Sequence, residues 1–103
     1  MSTKVLPLFY SPLGFQKLTV SSSPVGFTLP AVTPTVRAVT VTVETNSIRY
    51  RLDGTDPTTT TGHLLYDGDV LDITNVNSIL SFKAIAVGAD GTIQITYFGG
   101  GGP

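Results

Sequence analysis

Cysteine and tryptophan are absent from this 103-residue chain, and histidine and methionine occur once each. Without thiols there is neither a disulfide framework nor a thiolate metal site, and the redox compartment is left open. Charge is scarce as well. Asp, Glu, Lys and Arg make up 13% of the residues, against roughly 25% in an average soluble domain. Thr, Ser and Asn fill the polar positions instead, which suits neutral, hydroxyl-bearing surfaces that pack on neighbours with little desolvation of charge. A net charge of −1 offers no attraction to nucleic acid or to an anionic membrane. No run approaches the ~18 apolar residues of a membrane-spanning helix. The apolar stretch Val5 to Phe9 is too short for a signal sequence, and Pro7 and Pro12 interrupt it.

What remains is enough for one domain with one core, near the lower size at which a core suffices without staples. Association with copies of itself or with a larger assembly is the open route to further burial. The few charges are unevenly placed. Before Glu44 only Lys4, Lys17 and Arg37 are ionised, and every acidic residue lies at Glu44 or later. That leaves a basic N-terminal segment suited to an acidic partner surface, or a chance distribution among few charges.

Apolar residues recur with period two, and Gly and Pro punctuate the chain, so helices are hard to place. In Ala38 to Glu44, Val39, Val41 and Val43 point to one face while Ala38, Thr40, Thr42 and Glu44 point to the other. Such alternation of β-branched residues predicts a half-buried strand. After a turn at Thr45-Asn46, Ser47 to Leu52 alternates again, with Ile48, Tyr50 and Leu52 inward and Ser47, Arg49 and Arg51 outward. The short connection predicts an antiparallel hairpin.

Asp53-Gly54-Thr55-Asp56-Pro57 is dense in turn formers. Aspartate accepts local backbone hydrogen bonds, Gly54 permits positive φ, and Pro57 ends pairing. An exposed loop, Thr58 to Gly62, leads to a strand at His63 to Tyr66, a tight turn at Asp67-Gly68, and apolar Val70, Leu71 and Ile73. Ile79 to Val87 reads as a central strand buried on both faces. Asp90-Gly91 is a type I′ hairpin signal before a closing strand, Thr92 to Phe98, with Ile93, Ile95 and Tyr97 inward.

Toward the N-terminus, Gly14 to Val20 and Val25 to Leu29 read as short strands, and the segment from Pro30 to Pro34 as a linker. Residues 1–12 read as an extended arm whose Val5, Leu6, Leu8, Phe9 and Tyr10 seek a partner surface, residues 13–98 as the domain, and residues 99–103 as a mobile glycine-rich tail. The whole predicts an all-β fold: a small antiparallel β-sandwich, Ig-like or jelly-roll-like, with about seven or eight short strands.

Chemistry is hard to find. The only histidine, His63, follows a Gly62 turn and reads as a solvated edge-strand residue, and no nucleophile elbow or phosphate-binding glycine loop occurs. Asp53 with Asp56, and Asp67 with Asp69 and Asp72, are oxygen ligands of the kind that hold Ca²⁺. They equally suit the turns they occupy. No enzyme, cofactor or metal is therefore expected, and Tyr50, Phe82 and Tyr97 are assigned to the core.

Arg49-Tyr50-Arg51-Leu52-Asp53-Gly54-Thr55-Asp56-Pro57-Thr58, followed by Thr61-Gly62-His63-Leu64-Leu65, resembles an R-Y-R-x-D-G-T-x-P-T pattern of small virion-associated proteins of tailed bacteriophages. Gly14-Phe15-Gln16-Lys17-Leu18-Thr19 is similar to their G-F-Q-x-[IL]-T opening, and Gly91 to Phe98 to their closing strand, so the likeness spans roughly residues 14–98. Tyr50 to Pro57 with Lys83-Ala84-Ile85-Ala86 is also similar to the C-terminal Ig-like domain of chitobiase-type glycosidases, a likeness that bears on fold more than activity.

The first resemblance implies a virion structural protein, made in the host cytoplasm and placed on the particle. A decoration or cement protein on the outer surface of the head is expected, contacting the major capsid protein or other virion proteins and forming a homo-oligomer, without nucleic acid or membrane. The alternatives are a tail-associated or adhesion subunit, and a carbohydrate-binding module using the loops Asp53 to Gly62 and Asp67 to Asp72.

Overall fold

A computed structural model describes residues 10–28 and 36–100. Within them the chain forms β1 (Tyr10–Val20), β2 (Val36–Glu44), β3 (Ile48–Arg51), β4 (His63–Leu65), β5 (Val70–Ile73), α1 (Val76–Ser81), β6 (Lys83–Ala86) and β7 (Gly91–Gly100). The strands make two antiparallel sheets, one of four strands in the order β1-β7-β2-β5 and one of three in the order β4-β3-β6. This is the small all-β sandwich that the alternation predicted.

The core lies where the period-two pattern pointed. Val39, Val41 and Val43 from β2 and Ile93, Ile95 and Tyr97 from β7 are buried. They pack against Ile48, Phe82 and Ala84 from the facing side of the sandwich and against Val20 and Ile79. Burying one such aliphatic or aromatic side chain contributes about 1.5–3 kcal/mol, so these residues dominate the stability of a chain with no cross-links.

Several expectations about pairing are corrected. The β2–β3 connection is no hairpin, because β2 and β3 belong to different sheets. Thr45, at φ 79°, turns the chain across the end of the sandwich. Asp90-Gly91 is no hairpin either, since β6 and β7 also lie in different sheets and Gly91 does not adopt positive φ. Its glycine serves close approach instead. A Cβ there would lie 2.8 Å from the Asn46 carbonyl oxygen, and Asn46 Nδ2 donates to the Asp90 carbonyl at 2.9 Å. The two sheet-to-sheet crossings thus lie side by side and hold one another.

The apolar run from Ile79 is split. Ile79 to Ser81 belong to α1, whose N-cap Asn75 accepts a bond from the Ser78 N–H at 3.2 Å, and only Lys83 to Ala86 are strand. A short apolar run has no period long enough to distinguish the two conformations. β6 is not central in its sheet. Its far edge is covered by Val25, which exchanges two 2.9 Å backbone bonds with Ala84, and by Ser21, whose carbonyl accepts from Ala86. Of the strand expected at Val25 to Leu29, residues 25–28 show only this bridge at Val25, and Leu29 lies outside the described residues.

Ala38, expected on the wet face, is fully buried opposite Phe98, beside a bulge in β2. The boundaries at both ends of the domain also move. Tyr10, Ser11 and Pro12, assigned to the arm, pair with Gly100, Gly99 and Phe98 as the start of β1. Gly99, assigned to the tail, is a buried strand residue with Leu13 packed on it.

Candidate functional site

The outward-facing arginines of β3 organise the loop that follows. Arg51 Nε donates to Asp53 Oδ1 at 3.1 Å and its Nη2 donates to Asp53 Oδ2, a two-pronged ion pair. The Thr55 N–H donates to the same Asp53 Oδ1 at 3.2 Å. These bonds, Arg51 first, hold the Asp53 carboxyl below its usual range, and Asp53 in turn raises the Arg51 guanidinium. Gly54 adopts φ +82° with open space around it, Asp56 is exposed, and Pro57 is fully buried. The turn residues therefore divide their work. Asp53 and Gly54 shape the bend, while Pro57 anchors it, a role beyond ending a strand.

The polar half of the loop closes on Arg49. Its Nε donates to the Thr59 carbonyl at 3.1 Å and its Nη1 to the Gly62 carbonyl at 2.8 Å. Thr58 and Thr61 exchange backbone bonds of 2.9 and 3.3 Å. Gly62 adopts φ +137°, and a Cβ there would lie 3.1–3.2 Å from the Tyr50 carbonyl oxygen, Arg49 Cβ and Pro57 Cβ. The positive φ and the close approach to β3 together make any side chain at this position strained.

A shallow depression of about 530 Å³ opens between Arg51, Leu52, Asp53, Thr61, Gly62 and His63. Its principal charges, Arg51 and Asp53, already satisfy each other. His63 is exposed on the edge strand β4, with its ring centroid 5.3 Å from that of Tyr50. Beyond Tyr50 the aromatics turn inward. Tyr50 stacks on Phe82, Phe82 on Phe27 with centroids 4.2 Å apart, and Phe27 meets Tyr97 edge-on. The Tyr97 hydroxyl donates to Gln16 Oε1 at 2.6 Å, and burial pushes its pKa up to about 12. The assignment of Phe82 and Tyr97 to the core is correct, and Tyr50 is half-buried against it.

The acidic residues near β5 are also engaged locally. Asp69 Oδ2 accepts from the Tyr66 N–H at 2.8 Å, and Asp72 Oδ1 accepts from the Thr40 hydroxyl at 2.8 Å. Among the described residues no group of three metal-ligating side chains gathers.

The outer face of the four-stranded sheet is of another kind. Strand registers align Phe15, Thr96, Thr40 and Asp72 in one row and Lys17, Gln94, Thr42 and Val70 in the next, with Thr19, Thr92 and Glu44 beyond. Phe15 is 63% exposed and Val70 49%. Hydroxyls and amides fill the centre of the face, and Lys17, Asp72 and Glu44 are the charges in these rows. Sequence reasoning found the alternation on β2 and β7 but not this surface. Only the register, which sets four strands side by side, assembles it.

Of the residues expected to bind a partner, Val5, Leu6, Leu8 and Phe9 lie outside the described residues, and Tyr10 opens β1 opposite Gly100. Comparison of the chain with protein-family models, curated proteins and solved structures finds no match. The two resemblances above rest on their motif residues alone.

Proposed function

We propose that the protein is a structural component of a tailed-phage virion, a decoration or cement protein that docks on the outside of the head. The observation that carries this reading is the outer face of the four-stranded sheet. Its centre is Thr and Gln, with Phe15 and Val70 exposed toward its two edges. The charges Lys17, Asp72 and Glu44 are confined to its periphery, so contact at the centre goes through apolar and hydrogen-bonding groups with little cost in desolvating ions. The apolar sequence Val5 to Tyr10 leads into β1 at the edge of the same sheet and adds to the proposed contact with coat protein.

Carbohydrate binding is the second reading. On its side stands Tyr66, 60% exposed and three residues past His63. Against it, a sugar site needs an aromatic platform with unspent polar groups. Here the Phe27–Phe82–Tyr50 stack and the Arg51–Asp53 pair are already engaged with each other.

The test is to purify particles of the phage encoding this chain and count its copies against coat protein by quantitative mass spectrometry. A fixed ratio is expected that survives washing from about 0.1 M to 1 M salt, as the Debye length falls from about 10 Å to 3 Å. Thr96→Glu, a charge at the centre of the face, should lower the count. Absence from washed particles overturns the reading. Binding on a glycan array that is lost in Tyr66→Ala would put the second in its place.

A further inference from the structure

The four-stranded sheet ends on two unlike edges. Every neighbour in the order β1-β7-β2-β5 is antiparallel, so strand direction alternates and β1 and β5 run opposite ways. A second copy displaced sideways in the sheet plane therefore brings its β1 antiparallel to β5 of the first. That is the pairing used everywhere else in the sheet, and only an even number of strands permits it. Among the described residues no strand pairs with the outer edge of β1 or of β5.

Exposed edges invite pairing, and proteins usually blunt them with proline, bulges or charge. On β1 the proline and the bulge sit together at Pro12 to Gly14. From Phe15 to Val20 the only charge is Lys17. The short edge of β5 is acidic, with Asp72 within it and Asp69 just before it. Each edge also presents one exposed apolar side chain to the outer face, Phe15 on β1 and Val70 on β5.

We propose that β1 and β5 are the two halves of a head-to-tail joint between copies of this chain, extending the four-stranded sheet from one molecule to the next. With the rows of the sheet carried across the joint, Phe15 and Lys17 stand opposite Asp72 and Val70 of the next copy. The diagonals, about 7–8 Å and within reach of long side chains, join Phe15 to Val70 and Lys17 to Asp72. One carboxylate oxygen of Asp72 takes the Thr40 hydroxyl, and the other is placed for the lysine.

Like edges do not fit each other. Two β1 edges bring lysine to lysine with no acid between them, and two β5 edges bring carboxylate to carboxylate. A heterologous joint of this kind generates a ring or an open filament, according to the rotation between copies. The joint is independent of the virion reading. It is measured on the purified chain in solution, so its failure and a failure to bind particles are separate results.

Sedimentation of the full chain up to about 1 mM, the weak end of the affinity scale, should show an average mass above that of one chain and rising with concentration. Lys17→Asp and Asp72→Lys should each weaken association about tenfold, with melting close to that of the parent because both side chains are exposed. The double variant restores the pair with its signs exchanged and should recover assembly, which mere structural damage would not do.

The lack of cysteine allows a second measurement. A mixture of Phe15→Cys and Val70→Cys chains, oxidised together, should form the mixed disulfide in excess of either symmetric one. A chain that stays single up to about 1 mM, a closed twofold dimer, a double variant no better than the single ones, or a statistical distribution of disulfides would each overturn the joint.

Discussion

The two sheets of this sandwich are stabilised in opposite ways. In the four-stranded sheet, long ladders between β7 and its neighbours place a run of Val and Ile on the inner face and leave Phe15 and Val70 exposed on the outer one. In the three-stranded sheet the strands have only three or four residues, too few to hold register by backbone bonds alone. There the loop at residues 53–62 folds against the outer face, with Pro57 buried and Arg49 bonded to two loop carbonyls. One sheet depends on its inner face and keeps its outer face available. The other depends on both and has little surface left to offer.

The difference makes the first prediction the largest. Ile95→Ala, in the middle of β7 and with no exposure, should cost about 2–5 kcal/mol and threaten folding of a domain this small. Denaturant unfolding of the variant would measure it. A loss below about 1 kcal/mol would mean that the aliphatic inner face is not the main source of stability.

Gly62→Ala should come second, at about 1–3 kcal/mol, because it forces a non-glycine residue into φ +137° against the Tyr50 carbonyl. The two variants should differ in kind as well as size. The isoleucine change weakens the whole sandwich. The glycine change should first loosen the loop, seen as faster amide exchange at Thr58 and Thr61, whose N–H groups bond across it. Equal loss of protection in β2 and β7 would show instead that the loop and the large sheet unfold as one unit.

The same contrast explains what the sequence made legible. Period two in Val39-Val41-Val43 and Ile93-Ile95-Tyr97 located β2 and β7 and their inner faces, because burial of one face is a local rule. Pairing is not local. The few residues at Thr45 to Ser47 serve a hairpin or a crossing between sheets equally well, and what favours the crossing is the fit of Gly91 against Asn46, far along the chain. The helix at Val76–Ser81, capped by Asn75, was not foreseen, because its apolar residues run on into β6 and hide the break. At the candidate site, Asp53 and Gly54 were recognisable as turn formers. The anchoring by Pro57 and the closure on Arg49 depend on how the loop folds back over β3, which spacing does not encode. The outer face is illegible for the same reason, since its rows exist only once four strands are in register.

The smallest effect expected belongs to the Arg51–Asp53 pair. Asp53 has a folded-state pKa below its unfolded value, with the bond to Arg51 the main cause and the Thr55 N–H the second. Its contribution is therefore fully present above the unfolded pKa of about 3.9 and is lost as pH falls through the lower folded value. Asp53 is exposed and Arg51 only partly covered, so screening keeps the effect on global stability slight. The sensitive readout is local. An NMR titration of the Asp53 carboxyl should give a midpoint below the ordinary aspartate value, and Arg51→Gln should move it upward while the Thr55 contribution keeps it from returning fully. Melting temperatures of parent and variant should differ little at neutral pH and converge further in acid. A large loss of stability in Arg51→Gln would mean that the loop depends on its outermost ion pair as much as on Pro57 and Arg49, and the contrast between an anchored loop and a bare sheet face would need redrawing.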